Sequence, residues 1–177
     1  AGVSMDRLAA AAGVNVRAIY HYFPSKRALF DAAAEAALET FGALVVEHVF
    51  AHDDTRGRLH GFLAMYRVLY AEHRHLMSFL SVVTMEAIAQ SRAARATGAD
   101  APVLAGAEPI TLLNSALVAA AAERGELDPA VAPDGAVALI QAIGVGLGAA
   151  DLADDGPFLA MLDALDALID GTLLRDV

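Results

Sequence analysis

The chain has no cysteine and no tryptophan among its 177 residues, and aromatic side chains fill only 6% of positions. Without cysteine there is no disulfide framework and no thiolate chemistry. Basic residues are scarce too: 12 Lys and Arg stand against 22 Asp and Glu, a formal net charge of −10. The most continuous apolar stretch, AVALIQAIGVGLGAA at 136–150, is too short to span a bilayer and contains Gln141. No segment has the alternation of a strand, and no internal repeat is found. What remains is 57% hydrophobic and rich in alanine, the best helix former. The expectation is an all-α chain with enough length to bury a real core. Residues 1–7 lead into a capped helix and do not read as a secretory signal, so a cytoplasmic protein is expected.

Local signals divide the chain into helices. Ser4 suits the N-cap of a helix over 5–12, with Asp6 complementing its dipole, and Gly13 ends it. Asn15 caps a second helix to Tyr22, Pro24 stops it, and Ser25 caps a third from Lys26 to about Val49. That third helix places Leu29, Ala33, Ala36, Ala37, Phe41, Leu44 and Val45 on one stripe. A polar break at 52–55 precedes a helix over 56–72 with Leu59, Phe62, Leu63, Tyr66, Leu69 and Tyr70 on one face. After an interruption at His73-Arg74-His75, residues 76–89 are apolar nearly all round and are expected to be central. A loop is expected over 97–109, followed by helices at 109–124, 134–150 and 157–174. The last of these carries Asp163, Asp166 and Asp170 as an expected solvated row.

Charge is unevenly distributed. Residues 1–30 hold Arg7, Arg17, Lys26 and Arg27 against Asp6 alone, while the remaining 147 hold 8 basic and 21 acidic side chains. A basic head on an acidic body is expected where one end meets phosphates. The two short helices about Gly13 read as a helix-turn-helix, whose second helix can enter a DNA major groove. Leu8, Val14 and Ile19 would hold the pair together. That leaves Val16, Arg17, Ala18, Tyr20, His21 and Tyr22 for the outside and its flanks. Arginine can pair with guanine, and valine and alanine can touch thymine methyls. Tyrosine hydroxyls, Lys26, Asn15 and the helix start at Ser4 suit the positioning of phosphates. An ordinary αα-hairpin with core aromatics is the alternative from spacing alone.

Ser4-Met5-Asp6-Arg7-Leu8-Ala9, Ala12-Gly13-Val14-Asn15 and Ile19-Tyr20-His21-Tyr22-Phe23-Pro24-Ser25-Lys26 resemble the DNA-binding domain of the TetR family of bacterial transcriptional repressors. The resemblance covers about residues 2–45, and more loosely the segment Ala122 to Leu127 and the two helices after it. It implies a DNA-binding domain over 1–45 and a ligand-binding and dimerisation domain over 46–177. It also implies a further helix ahead of Ser4 that covers Leu8, Ile19 and Phe23. A palindromic double-stranded operator, a homodimer and release by a small ligand follow from the same resemblance. In the family the last two helices form a four-helix bundle with their copy. Val137, Gly144 and Gly148, then Phe158, Met161, Leu162, Leu165 and Ile169, are the residues expected there. Packing within one chain would explain the same pattern.

A ligand site is expected between the helices at 56–72, 76–89, 109–124 and 134–150. Phe62, Tyr66, Met77, Leu80, Met85, Leu113 and Leu117 would form an apolar wall. Thr84, Asn114 and Gln141 are the polar residues that could orient a mostly apolar ligand, or simply be satisfied hydrogen-bonding side chains. His48 and His52 have a chelating i, i+4 spacing, yet no cysteine or HExxH-type carboxylate accompanies them, so no metal and no cofactor are expected. No Gly-x-Ser-x-Gly, phosphate loop or paired-carboxylate motif points to an enzyme. The alternative reading is a helical small-molecule sensor whose DNA-binding head does not function.

Overall fold

The computed structural model describes residues 3–97, 107–153 and 156–173, and those residues form eight helices without a strand. In chain order they are α1 (Met5–Ala12), α2 (Val16–Tyr22), α3 (Lys26–His48), α4 (Thr55–Glu72), α5 (Arg74–Thr97), α6 (Ala107–Glu123), α7 (Pro133–Ala153) and α8 (Gly156–Ile169). α1 and α2 pack on each other, and α3 leaves them to join the larger body. Within the body α4 lies against α3, α5 and α8, while α7 lies against α5, α6 and α8. The junction at residue 45 falls inside α3, which crosses it unbroken.

The helix starts follow the expected chemistry. Ser4, Asn15 and Ser25 have extended backbones, and their side-chain oxygens accept from the N–H groups of Arg7, Arg17 and Ala28. Each satisfies a donor that the first turn leaves orphaned. Asp54 does the same for α4 through Gly57, and Glu126 reaches across to accept from the Thr55 N–H at 2.9 Å. Arg124, bonded to both Glu126 and Thr55, holds that carboxylate down to a pKa of about 2, with the Thr55 hydroxyl assisting. The α6–α7 turn is thereby tied to the start of α4.

Several boundaries differ from the sequence expectation. The interruption before α5 shrinks to His73, and α5 runs on to Thr97, because nothing between 76 and 97 is a proline or glycine. Most of the loop expected at 97–109 lies outside the described residues, and α6 begins two residues ahead of Pro109. α8 stops at Ile169 rather than running to 174. There Gly171 takes a left-handed φ of 70° and the Thr172 N–H bonds back to the Ala167 carbonyl. The same closure ends α1, where Gly13 has φ 66° and the Val14 N–H reaches the Ala9 carbonyl.

The core is built around α4. Leu63, Met65, Tyr66 and Leu69 meet Phe41, Leu44, Val45 and Val49 from α3, Met77 and Leu80 from α5, Leu147 from α7, and Phe158 and Leu162 from α8. On α3 the buried stripe is Ala34, Ala37, Phe41, Leu44 and Val45, so Ala33 and Ala36 fall outside it. α5, whose 76–89 segment is expected to be central, packs against α3, α4, α6 and α7. Val82 and Met85 stay half exposed, whereas Met65, on what looked like an outer flank of α4, is fully buried. Helices on three sides of α4 leave it little solvent-facing surface. α3 crosses α4 closely enough that a Cβ on Gly61 would collide with the His48 carbonyl oxygen.

Candidate nucleic-acid interface

The head presents α2 through two short-range constraints. The left-handed turn at Gly13 redirects the chain, and the Asn15 side chain accepts from the Arg17 N–H at 2.8 Å to start α2 immediately afterward. Phe23 ends α2 with an extended backbone, as a residue before proline must, and its N–H still bonds to Ile19. Ser25 then starts α3 and leaves Lys26 at its exposed first position.

Arg17, Ala18, Tyr20, His21 and Tyr22 are all exposed, and Tyr22 keeps 75% of its surface. His21 and Tyr22 meet edge to face with ring centroids 5.1 Å apart. Val16 is half-buried together with Leu8, Ile19 and Phe23, whereas Val14, expected to pack between the two helices, is 48% exposed just past the Gly13 turn. The oxygens of Ser4 and Asn15 are engaged as helix caps, so their first task is to orient α1 and α2. Arg27, counted among the basic residues of the head, pairs with Asp31 at 2.8 Å. Arg7, Arg17 and Lys26 are thus the basic groups of the head that carry no ion pair to the described residues. The exposed side chains able to meet bases and phosphates belong to α1, α2 and the first turn of α3.

The residues expected to line a ligand site are spread over α4 to α7. Tyr66, Met77, Leu80 and Asn114 are buried, Phe62, Thr84, Leu113, Leu117 and Gln141 are half-buried, and Met85 is exposed. Phe62 and Tyr66 stack edge to face at 5.0 Å, and the Tyr66 hydroxyl lies beside Gly144, 3.4 Å from where a Cβ would stand. Burial pushes the Tyr66 pKa up to about 12, so it stays a neutral phenol. Gln141 donates to Thr111 at 3.2 Å, which joins α7 to α6. Asn114 Oδ1 has no hydrogen-bond partner.

Several residues expected at a subunit interface turn inward instead. Phe158 and Leu162 are completely buried within one chain, and Gly148 is where Ser81 of α5 packs on α7. Val137, Gly144, Met161, Leu165 and Ile169 are half-buried. The apolar surface left on α7 and α8 lies on another face. On α7 it comprises Ala138, Leu139, Ala142 and Gly146, and on α8 Ala160, Ala164 and Leu168, all exposed and uncharged.

The row Asp163, Asp166 and Asp170 is not simply solvated. Arg67 bonds to Asp163 at 2.8 Å and to Asp166 at 2.6 Å, Arg56 approaches Asp170 at 3.7 Å, and His60 lies between Asp166 and Asp170. This clasp was missed because its two halves are a hundred residues apart. Its signal was nevertheless present, since Arg56, His60 and Arg67 recur at helical spacing opposite an acidic stripe of the same period. Among the described residues no group of His, Asp and Glu could hold a metal ion, and no helix is long and apolar enough to cross a membrane.

Residues 1–33 match the family model of bacterial regulatory proteins, tetR family. No curated protein and no solved structure matches the chain.

Proposed function

We infer from this N-terminal domain, a helix-turn-helix of the TetR family, that the chain is a dimeric transcription regulator whose body senses a small molecule. The observation that carries the reading is the outward set Arg17, Ala18, Tyr20, His21 and Tyr22 on a helix projected by the Gly13 turn. Arginine and alanine suit base edges, and the tyrosines and Lys26 suit phosphates. Repression follows if the operator overlaps a promoter.

A second copy is supported by the uncharged exposed stripes of α7 and α8. Small residues and leucines at one helical face allow close approach of two such pairs about a two-fold axis. Two recognition helices then meet successive major grooves about 34–36 Å apart, on a palindromic operator. α3 is the connection through which the body acts on that spacing. Phe30, just inside α3, packs on Phe79 of α5 at 5.7 Å, so a shift of α5 bears directly on the base of the head. A mostly apolar ligand among α4, α5, α6 and α7 releases DNA if it binds the tilted arrangement more tightly.

Selection from a random duplex pool at one stated salt concentration tests the reading. Recovery of a palindrome is expected. A folded dimer that enriches no sequence would overturn DNA reading and leave the body as a sensor.

A further inference from the structure

α6 turns one continuous face toward the body. Ile110, Asn114, Val118 and Ala121 recur along it at i, i+4, i+8 and i+11, and Val118 and Ala121 are buried with no polar atom to satisfy. Asn114 stands in the middle of that face with 3% of its surface exposed. Its Oδ1 is the one buried side-chain nitrogen or oxygen among the described residues that lacks a hydrogen-bond partner. A leucine would fill such a position without the loss of amide hydration, so the acceptor is a cost to the folded chain.

Two side-chain donors on α5 and α7 are committed elsewhere. The Ser81 hydroxyl donates to the Met77 carbonyl at 2.9 Å, and the Gln141 amide donates to Thr111 at 3.2 Å. On the outer α4–α8 clasp Arg67 is held by Asp163 and Asp166, and His60 by Asp166 and Asp170. Tyr66 of α4, whose hydroxyl lies beside Gly144 of α7, is a neutral phenol. An anionic ligand would face a carbonyl dipole at Asn114 Oδ1.

We propose that Asn114 Oδ1 is the acceptor for a single hydrogen-bond donor on the effector, a largely apolar molecule bearing a hydroxyl or N–H group. This rests on the ligand-sensing reading of the body and narrows it. Discrimination comes from the acceptor, because a ligand without a donor leaves it buried and unpaired.

Two probes that differ only in the donor test this on the full chain: 4-hexylphenol and its methyl ether, 4-hexylanisole, followed by calorimetry and thermal shift. The phenol should bind wild type about 10-fold tighter than the ether, the factor expected of one neutral hydrogen bond. Asn114→Leu should abolish that preference and raise the Tm of the ligand-free protein by about 2–4 °C. Asn114→Ala removes the same carbonyl without adding volume and should abolish the preference as well. Equal binding of both probes to wild type, or a preference that survives in both variants, overturns the acceptor role and leaves the apolar site standing. Failure of both probes to bind wild type overturns the apolar site itself. If both variants lower the ligand-free Tm and keep the preference, the acceptor is satisfied by a trapped water and is structural.

Discussion

His60 lies with Nδ1 2.8 Å from an Asp166 oxygen and Nε2 3.0 Å from an Asp170 oxygen, so both ring nitrogens face carboxylates. That arrangement requires a proton on each nitrogen. The hydrogen bond to Asp166, then that to Asp170, raises the His60 pKa above its ordinary 6.5 despite the opposing effect of burial. Burial alone would raise Asp166, yet His60 and Arg67 hold it below 3.8.

The sign of the pH dependence follows. A histidine whose folded pKa is raised contributes stability that is complete below the unfolded pKa and vanishes as pH rises through the folded one. Wild type should exceed His60→Gln in urea stability at pH 6 by at most about 1 kcal/mol, because the clasp is partly exposed. The gap should close toward pH 9. A gap that is constant from pH 6 to 9 would mean that the imidazolium is not the partner of these carboxylates.

The crossing of α3 and α4 gives a matched pair of glycine substitutions. Alanine normally improves a helix over glycine by about 1 kcal/mol. At Gly42 a Cβ meets nothing within 4 Å, and Gly42→Ala should stabilise by roughly that amount. At Gly61 the Cβ runs into the backbone carbonyl of His48, which cannot rotate away. Gly61→Ala should therefore destabilise by about 1–3 kcal/mol. Chemical denaturation of the two variants decides it, and equal effects would show that α3 and α4 are not in such close contact.

Recognition and positioning by the head are separable. If Arg17 reads a base, Arg17→Ala should cost about 1–3 kcal/mol on the selected operator and relax preference at one position in each half-site. Lys26→Ala should weaken binding on every sequence and reduce the salt slope by about 1. Titrations of specific and scrambled duplexes at several salt concentrations measure both. A uniform loss for Arg17→Ala would reassign it to phosphate.

The exposed stripe of α7 predicts a clean separation of folding from assembly. Leu139 is 61% exposed in one chain, so Leu139→Glu should leave helicity and monomer fold intact. Burying that carboxylate against a second copy is unfavourable, and sedimentation should report monomer. Phe158→Ala should instead unfold or loosen the single chain by about 3–5 kcal/mol, since Phe158 is fully buried. A dimer undisturbed by Leu139→Glu would exclude this face.

Local chemistry made most of the secondary structure legible. Ser4, Gly13, Asn15, Pro24 and Ser25 act within three or four residues of themselves, through caps, a left-handed turn and a restricted φ, and each acts as expected. The exposure of Arg17, Ala18, Tyr20, His21, Tyr22 and Lys26 depends on short-range signals of the same kind, the turn at Gly13 and the caps at Asn15 and Ser25. The end of α8 was misplaced although Gly171 offered the same signal as Gly13, which an apolar continuation at Leu173 and Leu174 had masked.

The sequence by itself determined the helices, the basic head and the acidic body, since these rest on propensity, capping and composition over short spans. The tertiary structure alone decided which apolar face each helix buries. Period 3.6 marks a stripe but not its partner, so Phe158 and Leu162 could be assigned to a second copy until α4 was seen to cover them. It likewise converted the solvated row of α8 into the clasp on His60 and Arg67, and left Asn114 without a donor. Each of these depends on groups brought together across dozens of residues, where only packing determines who meets whom.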